Sequence, residues 1–201
     1  MQAITTPPSE PALDRETLSA RVRAARHDKR MTLVQVAQAA GISAATVSRV
    51  ERGQMSLTYE KLTALARALG IELSSLLAGS GATGSSSSAG PSLTRAGQGV
   101  SYRSDAYLYT WLNADLARKR MTPTRMVVYA RTVQESPGYS RHAGEEFLFV
   151  LSGALQVHFE TGEAIDVAQG DCLYFDSRVG HFFLSSGEGN AEIIGAISET
   201  G

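Results

Sequence analysis

Two histidines and a glutamate are spaced so that they can share one ligand. His142 and Glu146 stand four residues apart in SRHAGEEFLFV. If that segment is extended, period-two alternation points both side chains to one face, the inner one if Leu148 and Val150 pack there. His181 opens a further apolar run, HFFLSS, later in the chain. Converging inside a β-barrel, two imidazoles and one carboxylate make a facial triad, a donor set that holds a divalent metal and leaves open positions on it. Without a metal, the same histidines would serve as the polar wall of a pocket that binds an organic ligand directly. His27 and His158 fit no such pattern and read as surface or structural residues.

The elements that must position these groups change character along the chain. Leu18, Val22 and Ala25 recur at helical spacing among Arg21, Arg23, Arg26, Lys29 and Arg30, so the first helix has one apolar face and a basic remainder. Thr32 caps a second helix with Leu33, Val36, Ala37 and Ala40 on its apolar side, and Gly41 stops it. Ser43 then caps AATVSRVE, in which Val47 and Val50 face inward, so two short helices meet at a tight turn. A fourth helix capped by Thr58 carries Leu62, Leu65, Ala66 and Leu69, and IELSSLL adds a short fifth, completing an all-α domain over residues 1–78. From Gly79 to Ser92 the chain is GSGATGSSSSAGPS, fourteen residues with nothing to bury. This is a flexible linker spanning roughly 20 Å. Beyond it, residues 93–201 alternate in short runs, SYRSDAYLYTWL, RMVVYARTV, EFLFVLSG, ALQVHFE, EAIDVAQG, DCLYFD, HFFLSS and AEIIGAIS. That pattern predicts about eight strands in a sandwich or jelly-roll barrel.

Composition bounds what these two bodies can be. Of 201 residues, 43% are hydrophobic and 19% charged, with a net charge of -1, which excludes a disordered polar chain and a uniformly basic coat. The near-neutrality hides a split. Residues 1–78 carry 10 Lys or Arg against 7 Asp or Glu, and the remainder 9 against 13, so the halves suit different partners. A single cysteine, Cys172, excludes an intramolecular disulfide framework and a thiolate zinc cluster, and fits the cytoplasm. The opening MQAITTPPSEPALDRE has no apolar run of signal-peptide length, and no later stretch reaches the length of a membrane span, so neither export nor insertion is expected.

The stretch TLVQVAQAAGISAATVSRVERGQMSLTYEKLTALARALGIELSSLL resembles the helix-turn-helix domain of phage repressors, Cro and the Xre-type regulators. Ala37, Gly41, Ile42, Thr46, Val47, Ser48, Glu51, Gly53, Leu62, Ala66, Leu69 and Gly70 stand where that family places such residues. Leu57 departs from it, since the family usually has Pro there. The resemblance implies that the third helix enters the major groove of an operator in double-stranded DNA N-terminus first. That would point Ala44, Ala45, Thr46, Ser48 and Arg49 at base edges or nearby phosphates. Arg49 is then the base reader, its fork matching a guanine, while Arg52 and the basic first helix supply phosphate contacts.

SRHAGEEFLFVLSG and GDCLYFDSRVGHFFLSS resemble the two motifs of the cupin superfamily, with His142, Glu146 and Gly153 in the first and Gly170 and His181 in the second. Ser140 stands where the first cupin histidine belongs and Asp176 replaces the usual Pro, so three family ligands remain. The combination is similar to bacterial transcriptional regulators whose barrel senses a small molecule. It implies a homodimer, an effector held near Tyr107, Tyr109 and Ser140, and a site for Fe, Mn, Ni or Zn on His142, Glu146 and His181. The same order of domains and the string HAGEEFLFVL also resemble the hydroxypropylphosphonate epoxidase family of mononuclear iron enzymes. Members share the Ser at position 140 and the paired tyrosines, and their helical-domain lysine aligns with Lys29 or Arg30. That resemblance implies an iron oxidase or epoxidase, and a third alternative is a metal-free cupin that only dimerises the DNA-binding domain.

Overall fold

Four side-chain caps fix where the helices of the N-terminal half begin. In the computed structural model, which describes residues 12–78, 90–116 and 119–198, Asp14 accepts from the Thr17 amide at 2.7 Å ahead of α1 (Arg15–Asp28). Thr32 and Gln35 form a reciprocal capping box at α2 (Leu33–Ala40). Ser43 caps α3 (Ala44–Glu51), and Thr58 caps α4 (Tyr59–Ala68). Each cap satisfies an amide that the first helical turn leaves without a partner. Gly41 ends α2 at φ 67°, a left-handed conformation that costs a glycine little and lets Ile42 swing back onto the core. The core comprises the expected faces: Leu18 and Val22 of α1, Val36 and Ala37 of α2, Val47 and Val50 of α3, and Leu62, Leu65 and Ala66 of α4 are all buried. Arg21 reaches the carbonyls of Leu76 and Leu77 in α5 (Leu73–Ala78), binding the fifth helix to the first.

The described residues of the C-terminal half form nine strands. SYRSDAYLYTWL, expected as one run, folds as a hairpin, β1 (Val100–Arg103) and β2 (Tyr107–Trp111), because Ser104 turns the chain by bonding Tyr107 through both its backbone and its hydroxyl. The remaining strands are β3 (Met121–Val128), β4 (Glu145–Ser152), β5 (Ala154–Phe159), β6 (Ala164–Ala168), β7 (Cys172–Asp176), β8 (His181–Ser185) and β9 (Ala191–Ser198). They form two antiparallel sheets, a six-stranded one in the order β1-β2-β3-β9-β4-β7 and a three-stranded one in the order β6-β5-β8. Alternation in β2, β3 and β5 puts Tyr107, Tyr109, Met126, Val128, Leu155 and Val157 inside. Strand β8 is buried throughout, because Phe182 on its other face is covered by His158, stacked at 4.7 Å, and by Tyr139.

The two halves touch. Leu13, just ahead of α1, adds to the edge of β1 by donating to Ser101 O and accepting from the Arg103 amide. The Leu57 amide donates to the Tyr102 hydroxyl at 3.2 Å, with both residues buried. Most of the expected linker, residues 79–89, lies outside the described residues.

Candidate functional site

Helix α3 offers one side to its own domain and the other to solvent. Val47 and Val50 are buried, Ala44 packs partly against the core, and Ala45 and Arg49 are exposed. Thr46 and Ser43 share a hydrogen bond between their hydroxyls at 2.8 Å. Arg52 donates to Ser48 Oγ at 2.6 Å and to Gln54 Oε1 at 3.0 Å, so these two expected contact residues hold each other on one edge of the helix. Arg49 has no such partner among the described residues, and its guanidinium stands free in front of the helix.

The basic first helix divides by role. Arg26 makes a bidentate pair with Glu51, Nε at 2.6 Å and Nη2 at 2.8 Å, and its side chain is only 12% exposed against 7% for Glu51. The Glu51 carboxylate raises the Arg26 pKa further above its usual value. Arg26 also donates to Met31 O, closing the end of α1. Arg21 and Arg26 are thus structural, whereas Arg23 lies exposed beside Arg52 along a shallow groove between α1 and the end of α3.

In the β domain, His142, Glu146 and His181 converge as expected, by a different route from strict alternation. His142 lies ahead of β4 in a bend, where Gly144 takes φ 96° and passes so close to the Ser198 carbonyl that a Cβ would collide with it. Reciprocal backbone bonds fix the bend: His142 N donates to Ser177 O at 3.0 Å, and Ser177 N to Gly144 O at 3.1 Å. His181 is held across from Ser140 by a two-bond bridge, 2.9 and 3.0 Å. The outcome is that His142 Nε2 and His181 Nε2 lie 3.2 and 3.4 Å from one oxygen, Glu146 Oε2.

The electrostatics follow from that crowding. Burial pushes the Glu146 carboxyl up, but the hydrogen bonds from His142 and His181 outweigh it and bring it to about 2. Burial lowers the His181 imidazole, and its bond to Glu146 more than compensates, leaving it raised. His181 Nδ1 donates to Val179 O at 2.9 Å, which turns the ring so that Nε2 faces the glutamate, as the N–H donor of that hydrogen bond and as a metal ligand once it gives up the proton. Three donor atoms within 4.8 Å of one another, with Glu146 and His181 buried and the His181 ring oriented from behind, fit a divalent metal. His142, Glu146 and His181 would hold it, and it would supply Lewis acidity and open positions for an oxygen-bearing ligand.

Around the triad is a cavity of about 30 Å³. Ser140 and Tyr109 contribute its remaining polar groups. The Ser140 hydroxyl is buried without a partner, and the Tyr109 hydroxyl has none among the described residues. Tyr107 lines the same cavity, yet its hydroxyl is already engaged, donating to Phe183 O at 3.1 Å and accepting from Phe183 N at 3.2 Å. Burial raises both phenols well above their ordinary pKa, so they act as neutral hydrogen-bonding groups. The opposite wall is apolar, made by Met126, Phe183, Ile193 and Ile197. From the helical half, Thr58 and Tyr59 at the N-terminus of α4 also line the cavity, which the sequence did not lead us to expect. Tyr59 sets its ring edge-on to His142 with centroids 5.3 Å apart. Only the fold brings them there, and the sequence shows them simply as a cap and a first helical residue. Lys29 and Arg30 are not among the lining residues.

Two family models match the chain, a helix-turn-helix over residues 22–76 and a cupin domain over residues 129–197. No curated protein matches. Among solved structures, an HTH_3 family transcriptional regulator from Vibrio cholerae is similar at TM-score 0.62 and 18% identity, over 93% of this chain and 97% of that one. Apo-HppE is similar at TM-score 0.44 and 20% identity, over 91% and 98%. The hydroxypropylphosphonic acid epoxidase from S. wedmorenis in complex with fosfomycin gives 0.43 and 23%, over 94% and 100%. The chain therefore carries a helix-turn-helix domain of the Xre type followed by a cupin domain.

Proposed function

We propose that the protein is a DNA-binding transcriptional regulator, acting in the cytoplasm, whose cupin barrel senses a small-molecule effector. The observation that carries this reading is the exposed Arg49 on α3, without a partner among the described residues, joined in one chain to a cavity lined by a two-histidine, one-glutamate cluster. Arg49 stands at the outer face of the second helix of the helix-turn-helix, where a major-groove reader places a guanidinium. Ala45, Thr46 and Ser48 accompany it at the base edges, Ala44 lies at the rim of the contact, and Arg52 supplies a phosphate contact. The triad holds a divalent metal, with Fe, Mn, Ni and Zn all suited to its donors, and the effector meets Tyr109 and Ser140 beside it.

The protein acts as a homodimer, because two recognition helices about 34–36 Å apart are what successive major grooves require. The outer face of the six-stranded sheet supports this, with Phe147, Leu151, Tyr174 and Ile194 all more than a third exposed. Selection of duplexes from a random pool by the full chain tests the DNA-binding reading. Enrichment of a pseudo-palindrome, lost in Arg49→Ala, is the expected result; recovery of unselected sequence contradicts it.

The second reading is an iron oxidase, favoured by the donor set itself, which suits mononuclear iron. Lys29 and Arg30 lie away from the cavity and offer its substrate no cation. Oxygen consumption by the iron-loaded protein would decide for it.

A further inference from the structure

Behind the triad, two buried polar atoms have no hydrogen-bond partner among the described residues, and they stand on residues whose backbones are bonded to each other. One is His142 Nδ1 and the other is Ser177 Oγ. The His142 amide donates to Ser177 O at 3.0 Å, and Ser177 is 0% exposed. Leaving both groups unpaired is unfavourable, because each has given up its water. Ser140 Oγ is also buried and unpaired, but Ser140 lines the cavity, where a ligand or a water can reach it. Ser177 is not among the lining residues, so a partner for its hydroxyl has to come from the protein.

The turn that carries Ser177 already serves the other histidine. It joins β7 to β8 over residues 177–180 and is held by Val179 N on Asp176 O and by Arg178, whose amide and guanidinium both bond the Asp176 carboxylate. From this turn Val179 O accepts from His181 Nδ1 and orients that ring. Ser177 stands two residues earlier, against His142. A carbonyl can only accept, whereas a hydroxyl can donate or accept. His142 has a use for both. While its Nε2 carries the hydrogen shared with Glu146 Oε2 at 3.2 Å, Nδ1 of the neutral ring is an acceptor. When Nε2 presents its lone pair to a metal, the hydrogen sits on Nδ1, which becomes a donor. A rotating hydroxyl serves both tautomers.

We propose that Ser177 is the positioning residue of His142: its side chain turns to pair Oγ with Nδ1, donating to the metal-free ring and accepting from the metal-holding one. The second half of this statement rests on the reading of the triad as a metal site. One turn, between β7 and β8, then fixes both imidazoles from behind, His181 by a carbonyl and His142 by a hydroxyl. Ser177 itself touches neither metal nor effector.

Nitrogen spectra of the histidines test this. The full-length protein, labelled with ¹⁵N-histidine and stripped of metal with EDTA, is recorded at mildly alkaline pH in two-bond ¹H–¹⁵N correlation spectra, and His142→Gln identifies the His142 signals. In the wild type His142 should show one tautomer, with hydrogen on Nε2 and Nδ1 shifted from the position of a bare imidazole nitrogen by the bond it accepts. Ser177→Ala should return Nδ1 to the bare position or mix the tautomers, and should weaken Co²⁺ binding by about 10–100-fold, as loss of an outer partner of a metal-ligating histidine typically does. Ser140→Ala should leave the His142 signals where they are. A bare Nδ1 in the wild type would overturn the proposal, and that measurement needs no variant to fold. Unchanged His142 signals in Ser177→Ala would also overturn it, whatever the metal affinity does, and a response to Ser140→Ala in their place would make Ser140 the partner. Altered signals with full Co²⁺ affinity would overturn the positioning role. Failure of the metal reading shows differently, as wild-type protein that takes up no Co²⁺ while its Nδ1 signal still answers to Ser177→Ala.

Discussion

Arg49 and Arg26 are both arginines of the basic domain, and their surroundings give them opposite roles. Arg49 faces solvent with no partner among the described residues, so Arg49→Ala should leave stability unchanged and cost about 1–3 kcal/mol at one base pair of each operator half-site. Affinity on a panel of singly substituted duplexes checks this, and an equal loss on every sequence would mean that Arg49 meets only phosphate. Arg26 is shielded and doubly bonded to Glu51, so Glu51→Ala strands a cation and should destabilise the domain by about 3 kcal/mol in urea unfolding. Sequence periodicity marks both residues as polar positions near a helix. It cannot separate them, because Glu51 reaches Arg26 only after α1 and α3 have packed. The triad was legible by residue type and spacing, but not by its mechanism. Counting alternation from Glu146 back to His142 assumes a strand that Gly144 interrupts, and the two side chains meet because the bend is bonded to Ser177. His142→Ala with His181→Ala should abolish uptake of Co²⁺ or Zn²⁺ measured by metal analysis, while the full chain keeps its basal DNA binding.

Among the elements, the helices were the most legible, since each carries its start and stop locally: Thr32, Ser43 and Thr58 as caps, Gly41 as a left-handed stop. The strands were read by alternation, and the errors fall where alternation is uninformative. Ser104 breaks one expected run into a hairpin by bonding within its own turn, and β8 is buried on both faces because Tyr139 and His158 cover it. Leu57 shows what a family pattern hides. At that position a proline has no amide hydrogen, whereas Leu57 donates one to Tyr102 in the other domain, a contact that no local pattern announces. The turn before β4 yields a further prediction. Gly144→Ala combines a positive φ with a collision against the Ser198 carbonyl, so it should cost about 1–3 kcal/mol of stability and weaken metal uptake by displacing His142. A melting temperature and a metal titration on the same sample check both halves of that statement, and a variant of wild-type stability with wild-type uptake would contradict it.

At the scale of the whole molecule, the unequal charge of the halves and the linker composition pointed to two bodies with different partners, but not to how those bodies meet. Leu13 on β1, Leu57 on Tyr102 and Tyr59 on His142 join residues far apart in sequence, and such contacts have no local signature. They tie the DNA-reading domain to the cavity that the regulator reading makes its sensor. Residues 1–78 expressed alone should fold but bind the selected operator far more weakly than the full chain, because dimerisation and its effective concentration come from the barrel. The most direct measurement is the affinity of the full-length protein for its selected duplex, compared between protein stripped of metal and small molecules and the same protein reloaded with what native mass spectrometry finds in it. A change of about tenfold or more, abolished by His142→Ala/His181→Ala, is the predicted result, since a coupling of this kind is typically worth 1–3 kcal/mol. An affinity that is the same for stripped and reloaded protein would contradict the account.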